Sequence, residues 1–127
     1  MRPISTDGAP APAGHYAQGV EHGGLVFVSG QLPVDPEGRV VGEDDVAAQT
    51  RQALQNVEAI LRAAGSGLDR MLSVTIYITG RRHWADVNRV YAEILGPHRP
   101  ARAVIPVPEI KPGCLIEIQA IATTGAS

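Results

Sequence analysis

Two residues late in the chain have the types needed for chemistry on a small carboxylic acid. Arg102 opens the stretch RAVIPVPEIKPGCLIE, and Glu117 sits near its end between Ile116 and Ile118. A guanidinium offers a planar fork that grips a carboxylate through two parallel hydrogen bonds and stays charged at any working pH. A carboxylate between isoleucines in an apolar strand is out of place, because half-buried strands normally put their charges on the wet face. Paired on rigid strands, the arginine would hold a substrate while the glutamate orients or deprotonates a water. Burial between the isoleucines raises the Glu117 pKa and a nearby arginine lowers it; the residues alone leave that balance open. A plain surface arginine and an outward-facing glutamate fit the same residues.

Strand arithmetic constrains the pair. In a simple hairpin about Lys111-Pro112-Gly113, Arg102 would lie opposite about residue 122, about five residues along from Glu117, or roughly 17 Å at the strand rise. That is too far for both to touch one small molecule. Either the two strands are not partnered in that register, or the site is shared between subunits.

The elements that must position these residues can be read in order. Residues 1–14, rich in Pro, Ala and Gly, read as a loosely held tail. His15–Val20 and Leu25–Ser29 read as a hairpin about His22-Gly23-Gly24, followed by a loop punctuated by Pro33, Pro36 and Gly38. A first helix is predicted from Asp44 to Ala64, capped by Asp44 or Asp45 and closed by Gly65. Its stripe is Val46, Ala53, Leu54, Val57, Ile60, Leu61 and Ala64, with Gln49, Arg51, Gln52, Gln55 and Glu58 on the wet side. Met71–Thr79 alternates, with Leu72, Val74, Ile76 and Ile78 on one face and Ser73, Thr75, Tyr77 and Thr79 on the other. A second helix runs from about His83 to Leu95, ended by Gly96-Pro97. The order β-β-α-β-α-β-β predicts an α+β sandwich of one domain over 1–127, both helices on one face of a mixed sheet. An oligomer would bury the uncovered face.

Composition removes several classes of function. With 44% hydrophobic and 19% charged residues, the chain belongs with soluble globular proteins. A formal charge of −2 and 4% aromatic residues give neither the field nor the stacking platforms of a nucleic-acid binder. Ten of the eleven basic residues are arginine, scattered along the chain rather than clustered. No apolar run reaches transmembrane length, and the first residues do not resemble a signal peptide. Cys114 is the sole cysteine, which suits a reducing compartment, so a cytoplasmic protein is expected. His15, His22, His83 and His98 lack the spacings of a zinc site, so no metal is expected. Ser29-Gly30 lies outside any nucleophile elbow, and Gly23-Gly24 is too short to cradle a phosphate. Cys114 reads as a small apolar filler.

Five short pieces in order carry a resemblance: Tyr16-Ala17-Gln18; Val28-Ser29-Gly30-Gln31; Val87-Asn88 with Tyr91; Pro100-Ala101-Arg102; and Ile116-Glu117-Ile118 with Ala120-Ile121-Ala122. Over roughly residues 10–122 the chain resembles the RidA family, the YjgF-type imine deaminases. The resemblance implies a chorismate-mutase-like fold assembled as a homotrimer with clefts between subunits. It implies hydrolysis of reactive 2-imino acids, or their enamine tautomers, to 2-keto acids and ammonia, without metal or organic cofactor. On it, Arg102 matches the arginine that clamps the substrate carboxylate and Glu117 the glutamate that handles water. Tyr16, Ser29, Gly30 and Asn88 match cleft-lining positions, and Val104 stands where a cysteine is common, offering only backbone groups. His15, Ala17 and Gln119 also depart from the usual pattern, and Pro106 and Pro108 suggest a free strand edge. These departures bear on substrate choice, since pocket walls set specificity. A pathway-specific relative, a small-ligand binding protein of the same fold and a ribonuclease are the competing readings.

Overall fold

The computed structural model describes residues 1–125; the last two positions of the domain expected over 1–127 lie outside the described residues. In chain order the elements are β1 (Arg2–Ile4), β2 (Gly19–His22), β3 (Leu25–Gln31), α1 (Val46–Ala63), β4 (Met71–Ile78), α2 (Trp84–Leu95), β5 (Ala101–Pro106) and β6 (Ile116–Thr123). The strands form one sheet in the order β1-β2-β3-β6-β4-β5, antiparallel except for the β4–β5 pair. Helix α1 packs on β3 and β6 and against α2. The architecture is α+β, with two helices packed on a mixed open sheet.

Local chemistry explains most boundaries. The Asp45 carboxylate accepts the Ala48 N–H at 3.1 Å, one of the donors a helix start leaves unpaired. Gly65 and Gly96 follow the two helices with φ of +79° and +63°, values that favour glycine. Gly23 and Gly24, at +59° and +81°, make the two-residue hairpin loop whose twist suits the flanking strands. Ala53, Leu54, Val57, Ile60 and Leu61 of α1 are buried against Val74, Ile76 and Ile78 of β4 and Ile116 and Ile118 of β6 in one core.

Four expectations need correction. The first fourteen residues are not a loose tail throughout: β1 pairs with β2, Arg2 opposite Glu21 and Ile4 opposite Gly19, and Ile4 and Ala9 are in the core. Composition hides this because a three-residue strand is recruited by an existing sheet edge rather than by its own propensity. The element order therefore gains a strand at its start. Residues 15–18 lie outside β2; there the Gln18 side chain is buried and holds the N-terminal segment instead. Gln49, read as wet, is 0% exposed because its amide finds three backbone partners. Leu72 faces out and Met71 in, since the β4–β6 register shifts between Met71 and Ser73.

The second face of the sheet has no helix upon it among the described residues. Phe27 there is 43% exposed and Ile105 39%. Among the described residues, strand β5 is an outer strand with β4 as its only partner, the free edge that Pro106 and Pro108 suggest.

Candidate functional site

Arg102 and Glu117 flank the same strand on opposite sides. Strands β5 and β6 are not partners; each pairs with β4, placing Arg102 level with Val74 and Glu117 level with Tyr77. Three residues along β4 and two strands across separate their backbones by roughly 14 Å. Directly paired residues share a face, and successive residues alternate. Arg102 thus shares the helix-covered face with Val74, whereas Glu117 shares the uncovered face with Tyr77. Within one chain the two side chains cannot address one small molecule.

On the helix side, the Arg102 guanidinium carbon lies 4.8 Å from the centroid of the Tyr91 ring on α2. A ring face attracts a cation without neutralising it. Among the described residues no acidic side chain pairs with Arg102, so its hydrogen-bonding fork is available. Asn88 lies three positions before Tyr91 on α2, on the same helix face. Asn88, Tyr91, His98, Arg99 and Arg102 line a groove of about 510 Å³. The Tyr91 hydroxyl is buried without a partner among the described residues; burial pushes its pKa up, against the pull of Arg102. Val104 packs its side chain toward the core and so presents no functional group of its own.

The uncovered side is built around a bulge. Val28 pairs with Ala120 and Gln31 with Ile118, so Ser29-Gly30 adds one residue to β3 relative to β6. The Glu117 carboxylate lies against the Gly30 backbone, where an added Cβ would overlap its Oε2. Only glycine leaves that space. The Ser29 hydroxyl donates to the Ala17 carbonyl at 2.7 Å, fixing the strand to the preceding segment. Tyr16 is exposed, and its hydroxyl accepts the Ala13 N–H at 3.2 Å. Burial raises the Glu117 pKa, and no in-chain arginine offsets it. Within one chain, desolvation therefore sets the direction that the sequence left open.

The predicted residues thus fall into two clusters: Arg102 and Asn88 beside Val104, and Glu117 with Gly30, which Ser29 and Tyr16 precede along the chain. Tyr91, the platform under Arg102, was absent from the candidate set; its i, i+3 spacing from Asn88 was the available signal. Also missed were three buried amides. Gln18 donates to Pro10 O, Asn56 to Leu32 O and Val34 O, and Gln49 to Val41 O and Gly113 O while accepting from Leu115 N. Each ties a loop near the second cluster to the core. His98 Nε2 sits 2.8 Å from Met71 O, a structural contact. Among the described residues, no three His, Cys, Asp or Glu side chains gather as a metal site, and no helix is long and apolar enough to cross a membrane.

The two helices on a mixed open sheet make this a chorismate-mutase-like α+β protein. A family model described as Endoribonuclease L-PSP matches residues 6–124. The RutC family protein of Pyrococcus horikoshii is 42% identical over 119 residues, 94% of each chain. The 2-iminobutanoate/2-iminopropanoate deaminase of Salmonella typhimurium is 42% identical over 122 residues, again 94% of each. The crystal structure of Escherichia coli TdcF with bound serine superposes with a TM-score of 0.92 at 36% identity, covering 98% of this chain and 100% of that one. The chain belongs to the YjgF/RidA family, the family that the Endoribonuclease L-PSP model describes.

Proposed function

We propose that this protein hydrolyses reactive 2-imino acids, of the 2-iminobutanoate and 2-iminopropanoate type, to 2-keto acids and ammonia. The active unit is a homotrimer in the cytoplasm, with sites in clefts between subunits. The observation that carries this reading is the division of the site. An arginine with no acidic partner among the described residues and a burial-perturbed glutamate stand on opposite faces of one sheet, which supports a site that draws them from two copies. The deaminase relative supplies the reaction class. Serine, bound by TdcF, carries a carboxylate and an adjacent nitrogen, the two groups an imino acid would present.

In the reaction, Arg102 grips the substrate carboxylate bidentately, and Asn88 with the Val104 backbone closes that end. Tyr16, Ser29 and Gly30, from the facing copy, line the other. The protonated imine is already electrophilic, so positioning and proton transfer suffice. Glu117 takes a proton from water as its oxygen bonds to the imine carbon, giving a neutral amino alcohol. The same carboxyl returns that proton to nitrogen. The C–N bond then breaks with its electrons on nitrogen, and the hydroxyl proton passes to the departing ammonia, leaving the keto acid. A pKa raised by burial makes the carboxylate a stronger base toward water.

The test generates 2-iminobutanoate with a threonine dehydratase and follows its capture by semicarbazide. Wild type should suppress the trapped product, and Arg102→Ala should abolish that effect while remaining folded by circular dichroism. Retained turnover in the variant overturns the reading. The family model's description favours a second reading, endoribonuclease. The −2 charge and 4% aromatic content argue against it. Cleavage of RNA by the purified protein, lost in Arg102→Ala, would establish it instead.

A further inference from the structure

The groove between Arg102 and α2 holds more positive charge than one carboxylate needs. Arg99, three residues before Arg102, lines it as well. Among the described residues neither arginine pairs with an acidic side chain, and no Asp or Glu lines the groove. The acids of α2 are engaged elsewhere, Glu93 with Arg51 and Arg89, and Asp86 with Arg89. We infer, resting on Arg102 as the carboxylate clamp of the reading above, that this groove takes a small dicarboxylate. The ligand is a 2-imino or 2-keto diacid of succinate to glutarate length, and Arg99 grips its second carboxylate.

Charge, reach and room each support the assignment. Two guanidiniums on one groove repel, and a monocarboxylate neutralises only one of them. A second carboxylate fills the other fork and adds its own charge-assisted hydrogen bonds. Three residues of chain separate the Arg99 and Arg102 Cα atoms by at most about 11 Å. Two arginine side chains working from that spacing can hold the two ends of one short diacid. The groove, of about 510 Å³, lies within the ~300–1,000 Å³ range of sites for whole small ligands. It leaves room beyond the end that Arg102 would clamp.

The segment that presents Arg99 is held in place. Gly96, at φ +63°, turns the chain out of α2. Pro97 and Pro100 then restrict the backbone on either side of His98-Arg99. His98 pins the turn at both ends of its own structure: its Nε2 lies 2.8 Å from Met71 O, and its N–H donates to Leu95 O at 3.4 Å. The Arg99 side chain is exposed, so it can swing onto a ligand from a fixed base. A lone exposed cation on a flat surface contributes little. Two cations of one sign in a groove walled partly by Leu95 and Pro100 focus the field on what lies between them.

The experiment titrates the purified protein calorimetrically with 2-oxoglutarate, 2-oxobutanoate and inorganic phosphate. 2-Oxoglutarate should bind about tenfold more tightly than 2-oxobutanoate, and added salt should erode that advantage. Arg99→Gln should bring the two acids to parity, and Arg99→Lys should fall between, since an ammonium keeps the charge and loses the fork. Equal binding by wild type, or an advantage that survives Arg99→Gln, overturns the assignment. Phosphate binding more tightly than 2-oxoglutarate overturns it too, by marking the pair as a phosphate site. Turnover is then compared for the imine that an L-aspartate oxidase makes from aspartate and the imine that an L-amino-acid oxidase makes from alanine. The ratio of kcat/KM for the first over the second should fall about tenfold in Arg99→Gln. A ratio that Arg99→Gln leaves unmoved overturns the role of Arg99 in substrate choice. Should neither imine be hydrolysed while the preference in binding stands, the imine-hydrolase reading fails and the dicarboxylate groove survives it.

Discussion

The two halves of the candidate site use different physics for two charged groups. Around Arg102 the structure needs only to place a charge, because a guanidinium does not titrate at working pH. It does so with a helix, an outer strand and one aromatic ring. Around Glu117 it must tune a charge. There it uses partial burial, a bulge, and a glycine whose missing side chain leaves room for the carboxylate. Putting the halves on opposite faces also keeps them from neutralising each other within a chain. An in-chain ion pair would fill the arginine's fork and pull the glutamate's pKa down. Separation leaves the arginine's fork open and the glutamate's pKa raised within one chain.

The largest effect comes from breaking each half and then mixing the pieces. Glu117→Gln should lower kcat/KM by about 10²–10⁴-fold, the usual worth of a general base. Arg102→Ala should cost a similar factor, since removing one partner of a buried charged contact costs ~2–5 kcal/mol. Refolded together in equal amounts, the two inactive variants should regain activity. If each site takes its arginine from one copy and its glutamate from the next, about a quarter of the sites receive both wild-type residues. Activity that stays at the level of the separate variants would mean that the halves never meet across an interface.

Gly30→Ala attacks the tuned half alone. The new methyl group must displace the Glu117 carboxylate or the bulge backbone. A loss of ~1–3 kcal/mol in stability, as for overpacking, should accompany a fall in kcat of about tenfold. Denaturant midpoints and single-turnover rates measure the two effects. An unchanged kcat would show that the carboxylate need not rest on Gly30 to work.

How far the sequence reached differs between the halves as well. The helices and β4 were legible because their apolar spacing is periodic and their caps are local. Arg102 and Glu117 stood out because charge in an apolar strand is unusual. What stayed hidden was long-range pairing. That β5 and β6 both pair with β4, rather than with each other, depends on a crossover that no window of sequence contains. Strand β1 was missed for the same reason, since Arg2–Ile4 becomes a strand only beside β2. Gln18, Gln49 and Asn56 were hidden differently: a polar residue looks wet until its backbone partners are known.

A pH titration sharpens the contrast between a fixed charge and a tuned one. Burial raises the Glu117 pKa, so the folded chain keeps that proton where the unfolded chain has released it. Stability therefore falls as pH rises through a window that opens near the ordinary glutamate value of about 4.3. Glu117→Gln removes this loss: the variant should match wild type at low pH and gain on it across the window. Activity runs the other way, kcat/KM falling as pH drops through the raised pKa. A wild type that gains on the variant with rising pH would mean that an arginine of a neighbouring copy outweighs burial in the assembled protein.

The smallest effect isolates the tyrosine under Arg102. Its ring does the holding, while its hydroxyl is buried with no hydrogen-bond partner among the described residues. An unsatisfied buried hydroxyl costs ~1–3 kcal/mol, and phenylalanine presents the same ring face without it. Tyr91→Phe should therefore raise stability by about 1 kcal/mol and leave Arg102 in place. Tyr91→Leu should forfeit the ~0.5–1 kcal/mol of the cation–ring contact and let the guanidinium wander, raising KM more than it lowers kcat. If Tyr91→Phe instead loses activity as Arg102→Ala does, the hydroxyl reaches the substrate. The half that only places a charge would then take part in the chemistry.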